Sequence, residues 1–421
     1  MFALIDCNNF YVSCERVFQP QWNNKPVVVL SNNDGCIISR SEEAKALGIP
    51  MGAPEFKYKS LLNAHRVKVF SSNYALYADM SNRVMQILKK YTPDIENYSI
   101  DEAFLNFKNT TTINYEQCGF IIKKDLQKSL SIPVCCGFAS TKALSKVANR
   151  IAKKFPKETN GIYVIDNETK RIKALKWLKI EDVWGIGFRL KDKLRLRNIT
   201  TAYDFTLPQN TAYIKQIMGV VGIRLQMELK GVSVLELDEA IQAKKNIAVT
   251  RTFEKPFKEF TDLRERISTF ATVASEKLRN QKSCCYGIYV FLKKDKYKNL
   301  HTKYYYSNYK QLPFATQSSI TLSSVAISMA KELYQDNCEY NKAGVILTEI
   351  IPEAQKQFHL FEEENPKHQK LMKVIDDIHI KTGERKIRLA NQDLKKTWKM
   401  KQNFLSQKYT TKIDDLLEIK C

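Results

Sequence analysis

Short apolar runs open the chain. Residues 2–5 (Phe-Ala-Leu-Ile) predict a buried strand that ends on Asp6. A second run at 27–30 is closed by Ser31-Asn32-Asn33-Asp34-Gly35, five turn-forming residues in a row. Residues 36–39 then read as a strand, and 41–47 as a short helix stopped by Gly48. Over 74–91 the period changes: Leu76, Met80, Val84, Ile87 and Leu88 recur at helical spacing. Two strands meeting near Asp101 are expected within 95–107, a helix over 120–130, a strand over 134–138 and a basic amphipathic helix over 141–155. The order βαββαβ, with the helices taken to lie on one side, predicts an α+β sheet layer of the ferredoxin-like kind.

From about residue 175 the texture turns to helices with short glycine-containing joints: Trp184-Gly185-Ile186-Gly187, Met218-Gly219 and Lys230-Gly231. Residues 166–235 read as a small helical domain, 236–246 as a linker, and 247–351 as a return to alternating strands and helices. The last 70 residues carry an acidic patch, Glu362-Glu363-Glu364, with little apolar period, and are expected to form a partly extended tail. A chain of 421 residues exceeds what one core supports, so several domains are expected.

Charge adds a partner to this picture. Lys and Arg number 67 against 45 Asp and Glu, a formal net charge of +22, which suits a polyanion such as nucleic acid. Residues 242–312 hold 16 Lys or Arg against 6 Asp or Glu, a net of +10, interleaved with Tyr286, Tyr289, Tyr297, Tyr304, Tyr305, Tyr306 and Tyr309. Basic residues mixed with aromatics fit a nucleic-acid face and, equally, a half-buried sheet. The ten cysteines show no metal-ligand spacing, and reduced thiols in a cytoplasmic protein are expected. No signal peptide and no membrane span are expected, because the start lacks a basic segment and no apolar run reaches 18 residues.

Candidate chemistry rests on carboxylates in apolar surroundings. Asp6 ends a buried strand, and Tyr98-Ser99-Ile100-Asp101-Glu102-Ala103-Phe104-Leu105 sets two acids inside an otherwise apolar stretch. Buried charge is costly unless paired or metal-bound. Neighbours on a regular strand face opposite ways, so Asp101 and Glu102 can serve one site only at a turn. Three carboxylates brought together repel unless cations intervene. Two magnesium ions clamping the attacking and leaving oxygens of a phosphoryl displacement would answer that need.

Further stretches carry a family resemblance. They are 1–6, Asn9-Phe10-Tyr11-Val12-Ser13-Cys14-Glu15, residues 25–36, 43–49, Ser71-Ser72-Asn73-Tyr74, residues 78–84, Ser99-Ile100-Asp101-Glu102-Ala103-Phe104 and Asp182-Val183-Trp184-Gly185-Ile186-Gly187; in the tail, Tyr409-Thr410-Thr411 is still similar. Together they resemble the Y-family DNA polymerases, and among them the UmuC-type catalytic subunits of bacterial polymerase V.

That resemblance implies an α+β multidomain right-hand polymerase: palm (1–10 and 74–165), fingers (11–73), helical thumb with a helix-hairpin-helix (166–235), linker (236–246), little finger (247–351) and a C-terminal tail (352–421). It implies error-prone translesion synthesis in the SOS response, an open active site and no proofreading. By it, Asp6, Asp101 and Glu102 are the catalytic metal ligands for two Mg2+ ions, with the Cys7 backbone carbonyl close to one of them. Tyr11 is the steric gate that excludes a ribose 2′-OH, and Phe10 stands beside it. Ser39, Lys45 and Lys153 match triphosphate contacts, while Glu42 replaces a Tyr found in many relatives outside the UmuC group and should point away from phosphate. Gly185 and Gly187 match a hairpin whose backbone N–H groups bind DNA phosphate. Thr250-Arg251-Thr252-Phe253 is similar to the first little-finger strand, with Arg251 toward DNA. Gln357-Phe358-His359-Leu360-Phe361 resembles a sliding-clamp peptide, with Gln357, Leu360 and Phe361 as its contacts. Primer-template DNA, dNTPs, the clamp, a UmuD-type dimer and a RecA filament are the implied partners, with no membrane. The rival readings are a catalytically silent DNA-binding recruitment factor on the same fold and a metal-dependent nuclease. Intact acids argue against the first and the Tyr11 gate against the second.

Overall fold

The computed structural model describes residues 1–107, 114–237, 243–295, 303–357, 364–383, 385–393 and 400–416. The chain forms two compact units: Met1–Ile241 with Gln402–Cys421, and Gln242–Lys401. The strands in chain order are β1 (Phe2–Cys7), β2 (Val27–Leu30), β3 (Ile37–Arg40), β4 (Lys68–Ser71), β5 (Ile95–Asn97), β6 (Glu102–Asn106), β7 (Val134–Ala139), β8 (Ile162–Ile165), β9 (Ile247–Phe257), β10 (Ser283–Lys294), β11 (Tyr305–Thr316) and β12 (Tyr340–Pro352).

The first unit holds two sheets. A five-stranded sheet runs β5-β6-β1-β7-β8, and a three-stranded sheet runs β3-β2-β4. Every residue of β1 and β7 is buried, which requires cover on both faces. The helices therefore do not lie on one side as expected. Ala3, Ile5, Leu105, Cys136 and Phe138 face the helices Tyr74–Leu88 and Tyr115–Leu130 in one core. On the opposite face, a Cβ at Gly137 would come within 2.4 Å of the Ser145 carbonyl oxygen, so the helix Lys142–Lys154 lies directly on that glycine. The apolar runs gave the strands, but a run buried on both sides has no alternation to reveal the second layer. After β8, short helices joined by tight turns share a core with the inner face of Lys142–Lys154.

In the second unit the sheet order is β11-β10-β12-β9. The helices Phe260–Asn280 and Ser319–Leu333 cover one face, packing Leu263, Ile267 and Leu322 against Ile288, Val290, Leu292 and Val345. The other face carries Tyr289, Phe291 and Lys293 of β10 opposite Tyr309, Ser307 and Tyr305 of β11.

The end of the chain is more ordered than a partly extended tail. Strand β12 runs to Pro352, and Pro366–Thr382 is a helix. Asp376 on that helix takes a bidentate pair from Arg279 at 2.6 and 2.7 Å. Residues 402–416 then belong to the first unit. Long polar stretches between the few buried side chains, such as Met372 and Tyr409, hid this order from the apolar pattern.

Candidate active site

Strands β1 and β6 pair antiparallel with Asp6 directly opposite Glu102. Both side chains emerge on the face covered by Lys142–Lys154, since Ile5 and Ala103 point the other way into the core. Asp101 lies just outside β6, in the turn from β5. Ser99 shapes that turn: its Oγ accepts from the backbone N–H of Asp101 (3.3 Å) and Glu102 (3.0 Å) and donates to Asp101 Oδ1 at 2.6 Å. The Cys7 N–H donates to the Asp101 carbonyl at 2.9 Å, tying the turn to the end of β1. The sequence-predicted trio is thus gathered at the adjoining ends of two strands.

Its electrostatics are those of crowded acid. Asp6 is 6% exposed. Burial pushes its carboxyl up to about 7, against the pull of Lys153, and the nearby Glu102 raises it further. Lys153 Nζ lies 2.5 Å from Asp6 Oδ2, and Lys146 Nζ lies 3.0 Å from Glu102 Oε2. Lys146 also stands 4.3 Å over the Tyr98 ring. Nothing in the sequence singled Lys146 out. Helical spacing from Lys142 shows a basic face, but only the helix's seat on Gly137 turns that face toward the acids.

The donor set of Asp6, Asp101 and Glu102 is all oxygen and fits a hard divalent cation such as magnesium. Among the described residues no three acids, thiols or imidazoles stand close enough to hold an ion as they are. The two ammonium groups occupy Asp6 and Glu102, so a cation must displace Lys153 and Lys146. The Cys7 thiol is buried, and that burial pushes it well up, away from the thiolate form that binds metal.

Tyr11 sits on the helix Phe10–Phe18, which follows β1 after Asn9 turns through a left-handed conformation (φ 47°). Its ring stacks on Tyr77 with centroids 4.4 Å apart. Phe10 is only 3% exposed, within the core, so it offers little surface of its own to the nucleotide contact expected of it. Ser39, on β3, donates to the Asn9 carbonyl at 3.4 Å. Lys45 lies 2.6 Å from Glu42 Oε1, which also accepts from Asn9 Nδ2 at 3.0 Å. Ser39 and Glu42 thus both meet Asn9, with Lys45 on Glu42, while Lys153 is drawn to Asp6.

The Trp184-Gly185-Ile186-Gly187 turn adjoins the same hairpin. Trp184 Nε1 donates to the Tyr98 hydroxyl at 3.0 Å. The Ile186 N–H donates to the Val183 carbonyl at 3.0 Å, with Gly185 at φ +83°, and Gly187 precedes the helix Phe188–Arg195. Arg251 is exposed on β9 of the second unit. Gln357 is exposed, whereas Leu360 and Phe361 lie outside the described residues. Among the described residues no helix is long and apolar enough to cross a membrane.

Comparison with known proteins gives the family of the chain. The model of the impB/mucB/samB family matches residues 5–150, and that of its C-terminal domain residues 244–360. A domain of unknown function, DUF4113, matches residues 369–419. The chain is 39% identical to the protein UmuC of Salmonella typhimurium strain LT2, covering 100% of both. It is 36% identical to the protein ImpB of Salmonella typhimurium over 99% of each, and 26% identical to DNA polymerase IV of Bacillus velezensis over 91% of each. Among solved structures, a chimera of the Y-family polymerases Dbh and Dpo4 superposes with a TM-score of 0.68 at 23% identity, covering 84% of this chain and 100% of that one. Fold and relatives together define the class, an error-prone translesion DNA polymerase of the Y family. Within that class the chain belongs to the impB/mucB/samB family, the UmuC type.

Proposed function

We propose that Asp6, Asp101 and Glu102 are the metal-binding catalytic acids of this polymerase, holding two magnesium ions with the Cys7 carbonyl near one. The observation that carries this reading is the register that sets Asp6 against Glu102, with Asp101 in the adjoining turn. Bound there, the metal ions supply the charge that activates a primer 3′-OH and steadies the leaving pyrophosphate. The protein's part is positioning. Strand pairing fixes the acids, Ser99 holds the turn, and Lys153, once released from Asp6, is placed to meet the triphosphate with Ser39 and Lys45. Tyr11 acts as the steric gate for deoxynucleotides.

Residues 1–10 with 74–165 serve as palm, 11–73 as fingers, 166–235 as thumb and 247–351 as little finger, joined by the 236–246 linker, with 352–421 completing the chain. Primer-template DNA and dNTPs are the substrates. Backbone N–H groups around Gly185 and Gly187 contact DNA phosphate, and the open sheet face with Lys293, Tyr305 and Tyr309 runs along the duplex, while Arg251, in register with Ala343 and Leu292, points to the helix-covered side of β9. The segment from Gln357 through Leu360 and Phe361 binds the sliding clamp. A UmuD-type dimer and a RecA filament complete the assembly in the cytoplasmic SOS response, a reading that rests on the UmuC-type motifs.

Primer extension opposite an abasic template site, with magnesium and with or without the RecA filament and UmuD-type protein, tests the whole. Extension appearing only with both partners supports the polymerase V assembly, and extension unaffected by them removes it.

A further inference from the structure

The Tyr11 ring is backed by a chain of contacts that ends far away in sequence. Tyr77, on which it stacks, is fully buried and donates from its hydroxyl to Glu15 Oε1 at 2.7 Å. The same oxygen accepts from Ser406 Oγ at 3.0 Å. Glu15 is itself wholly buried, and burial pushes its carboxyl up to about 7. It sits about one turn beyond Tyr11 on the same helix.

Ser406 belongs to residues 402–416, which lie against the first unit through specific contacts. Asn73 caps the helix that bears Tyr77, accepting from the Leu76 N–H at 3.4 Å. It donates from Nδ2 to Ser406 Oγ at 3.0 Å and to the Gln407 carbonyl at 3.1 Å. Ser71 and Phe404 exchange two bonds: the Ser71 N–H reaches the Phe404 carbonyl at 3.0 Å, and the Phe404 N–H reaches Ser71 Oγ at 3.0 Å. The Asn403 N–H donates to Asp34 Oδ2 at 2.8 Å. Tyr409 stacks on Phe18, at the end of the Tyr11 helix, with centroids 4.6 Å apart. The segment thus grips both helices whose aromatic rings meet at the gate, and it falls within the stretch matched by the domain of unknown function.

We propose that residues 402–409 form a positioning clasp for sugar selection: Ser406, through Glu15 and Tyr77, fixes the ring of Tyr11 at the depth that separates deoxyribose from ribose. Stacking alone lets a ring slide in its plane, whereas a hydrogen bond on the stacked partner sets one position along the slide. A gate that discriminates by overlap with a single oxygen needs that position held within a fraction of an ångström, since repulsion falls steeply with distance. Ser406, Glu15 and Tyr77 are positioning residues in this account; none touches the nucleotide. The inference rests on the steric-gate reading of Tyr11.

Single-nucleotide insertion by the full-length chain, in whichever assembly supports extension, tests it with a dNTP and the matching rNTP. Tyr11→Ala, Tyr77→Phe and Ser406→Ala are compared with wild type. Tyr11→Ala should abolish most of the discrimination. Tyr77→Phe keeps the stacked ring and loses only the hydroxyl, and Ser406→Ala loses only the tail's contact. Each should lower the ratio of kcat/KM for dNTP over rNTP by about 3–10-fold, mainly through faster rNTP insertion. A merely structural loss would slow both nucleotides alike and leave the ratio unchanged. If Tyr11→Ala lowers the ratio while Tyr77→Phe and Ser406→Ala keep the wild-type value, the clasp is wrong. If Tyr11→Ala also keeps it, the gate reading and the clasp fall together.

Discussion

At the residue scale, Asp6 links metal use to pH. Burial holds its carboxyl near 7 in the metal-free chain, so below that pH a cation must displace a proton as well as Lys153. The magnesium concentration for half-maximal extension should therefore rise up to about tenfold between pH 7 and pH 6 and flatten above pH 8. A requirement independent of pH would place the metal elsewhere. The same shift sets the sign of a stability effect. Between 3.8 and about 7 the folded chain keeps a proton that the unfolded chain releases, so Asp6 makes the metal-free fold less stable as pH rises through that window. Asp6, Asp101 and Glu102 were legible in the sequence because each interrupts an apolar run, where an unpaired charge is expensive. Lys146, Ser99 and Ser406 were not. A lysine on a basic helix and a serine in a polar loop are ordinary there, and their roles arise only when distant segments meet.

At the scale of elements, the Trp184–Gly187 turn and the Gly137 contact show two different uses of glycine. Gly137 is needed for space, because the helix carrying Lys146 and Lys153 lies against it. Gly185 has open surroundings but a φ of +83°, so only its backbone freedom is used. Gly185→Ala should cost about 1–2 kcal/mol of local strain. It should also weaken primer-template binding to the same degree on any DNA sequence, measured by fluorescence anisotropy on two unrelated duplexes. Sequence-dependent weakening would contradict a backbone contact. Strands β1–β3 and β5–β7 and the helices Tyr74–Leu88, Tyr115–Leu130 and Lys142–Lys154 were readable from apolar runs and period, with boundaries displaced by a few residues, whereas β4, β8 and the helix Phe10–Phe18 that bears Tyr11 were not. The second helical layer on β7 was not, since a strand buried on both faces carries no alternation. The helix Pro366–Thr382 was also missed, because it buries little more than Met372 and is held instead by the Arg279–Asp376 pair.

At the scale of the whole molecule, charge governs the encounter with DNA. With roughly four to six phosphates neutralised, the logarithm of the association constant should fall against the logarithm of salt concentration with a slope near −4 to −5. A slope near zero would leave the excess of positive charge as a solubility feature. The boundary between the two units, at Ile241 and Gln242, lies within the stretch 236–246 that was expected as a linker, but the return of residues 402–416 to the first unit had no signal in the sequence. Contacts such as Ser406 with Glu15 join positions 391 apart in the chain, and no local pattern encodes them.

The central claim is that paired strands assemble a metal-dependent polymerase site from Asp6, Asp101 and Glu102. Its most direct test is magnesium-dependent insertion of one nucleotide by wild type and by the Asp101→Asn/Glu102→Gln variant, with primer-template affinity measured alongside. These isosteric changes keep the turn and remove the charge. Insertion should fall by at least about 10³-fold while DNA affinity stays within about threefold of wild type. Insertion at the wild-type rate in the double variant would contradict the account and move the chemistry away from these acids.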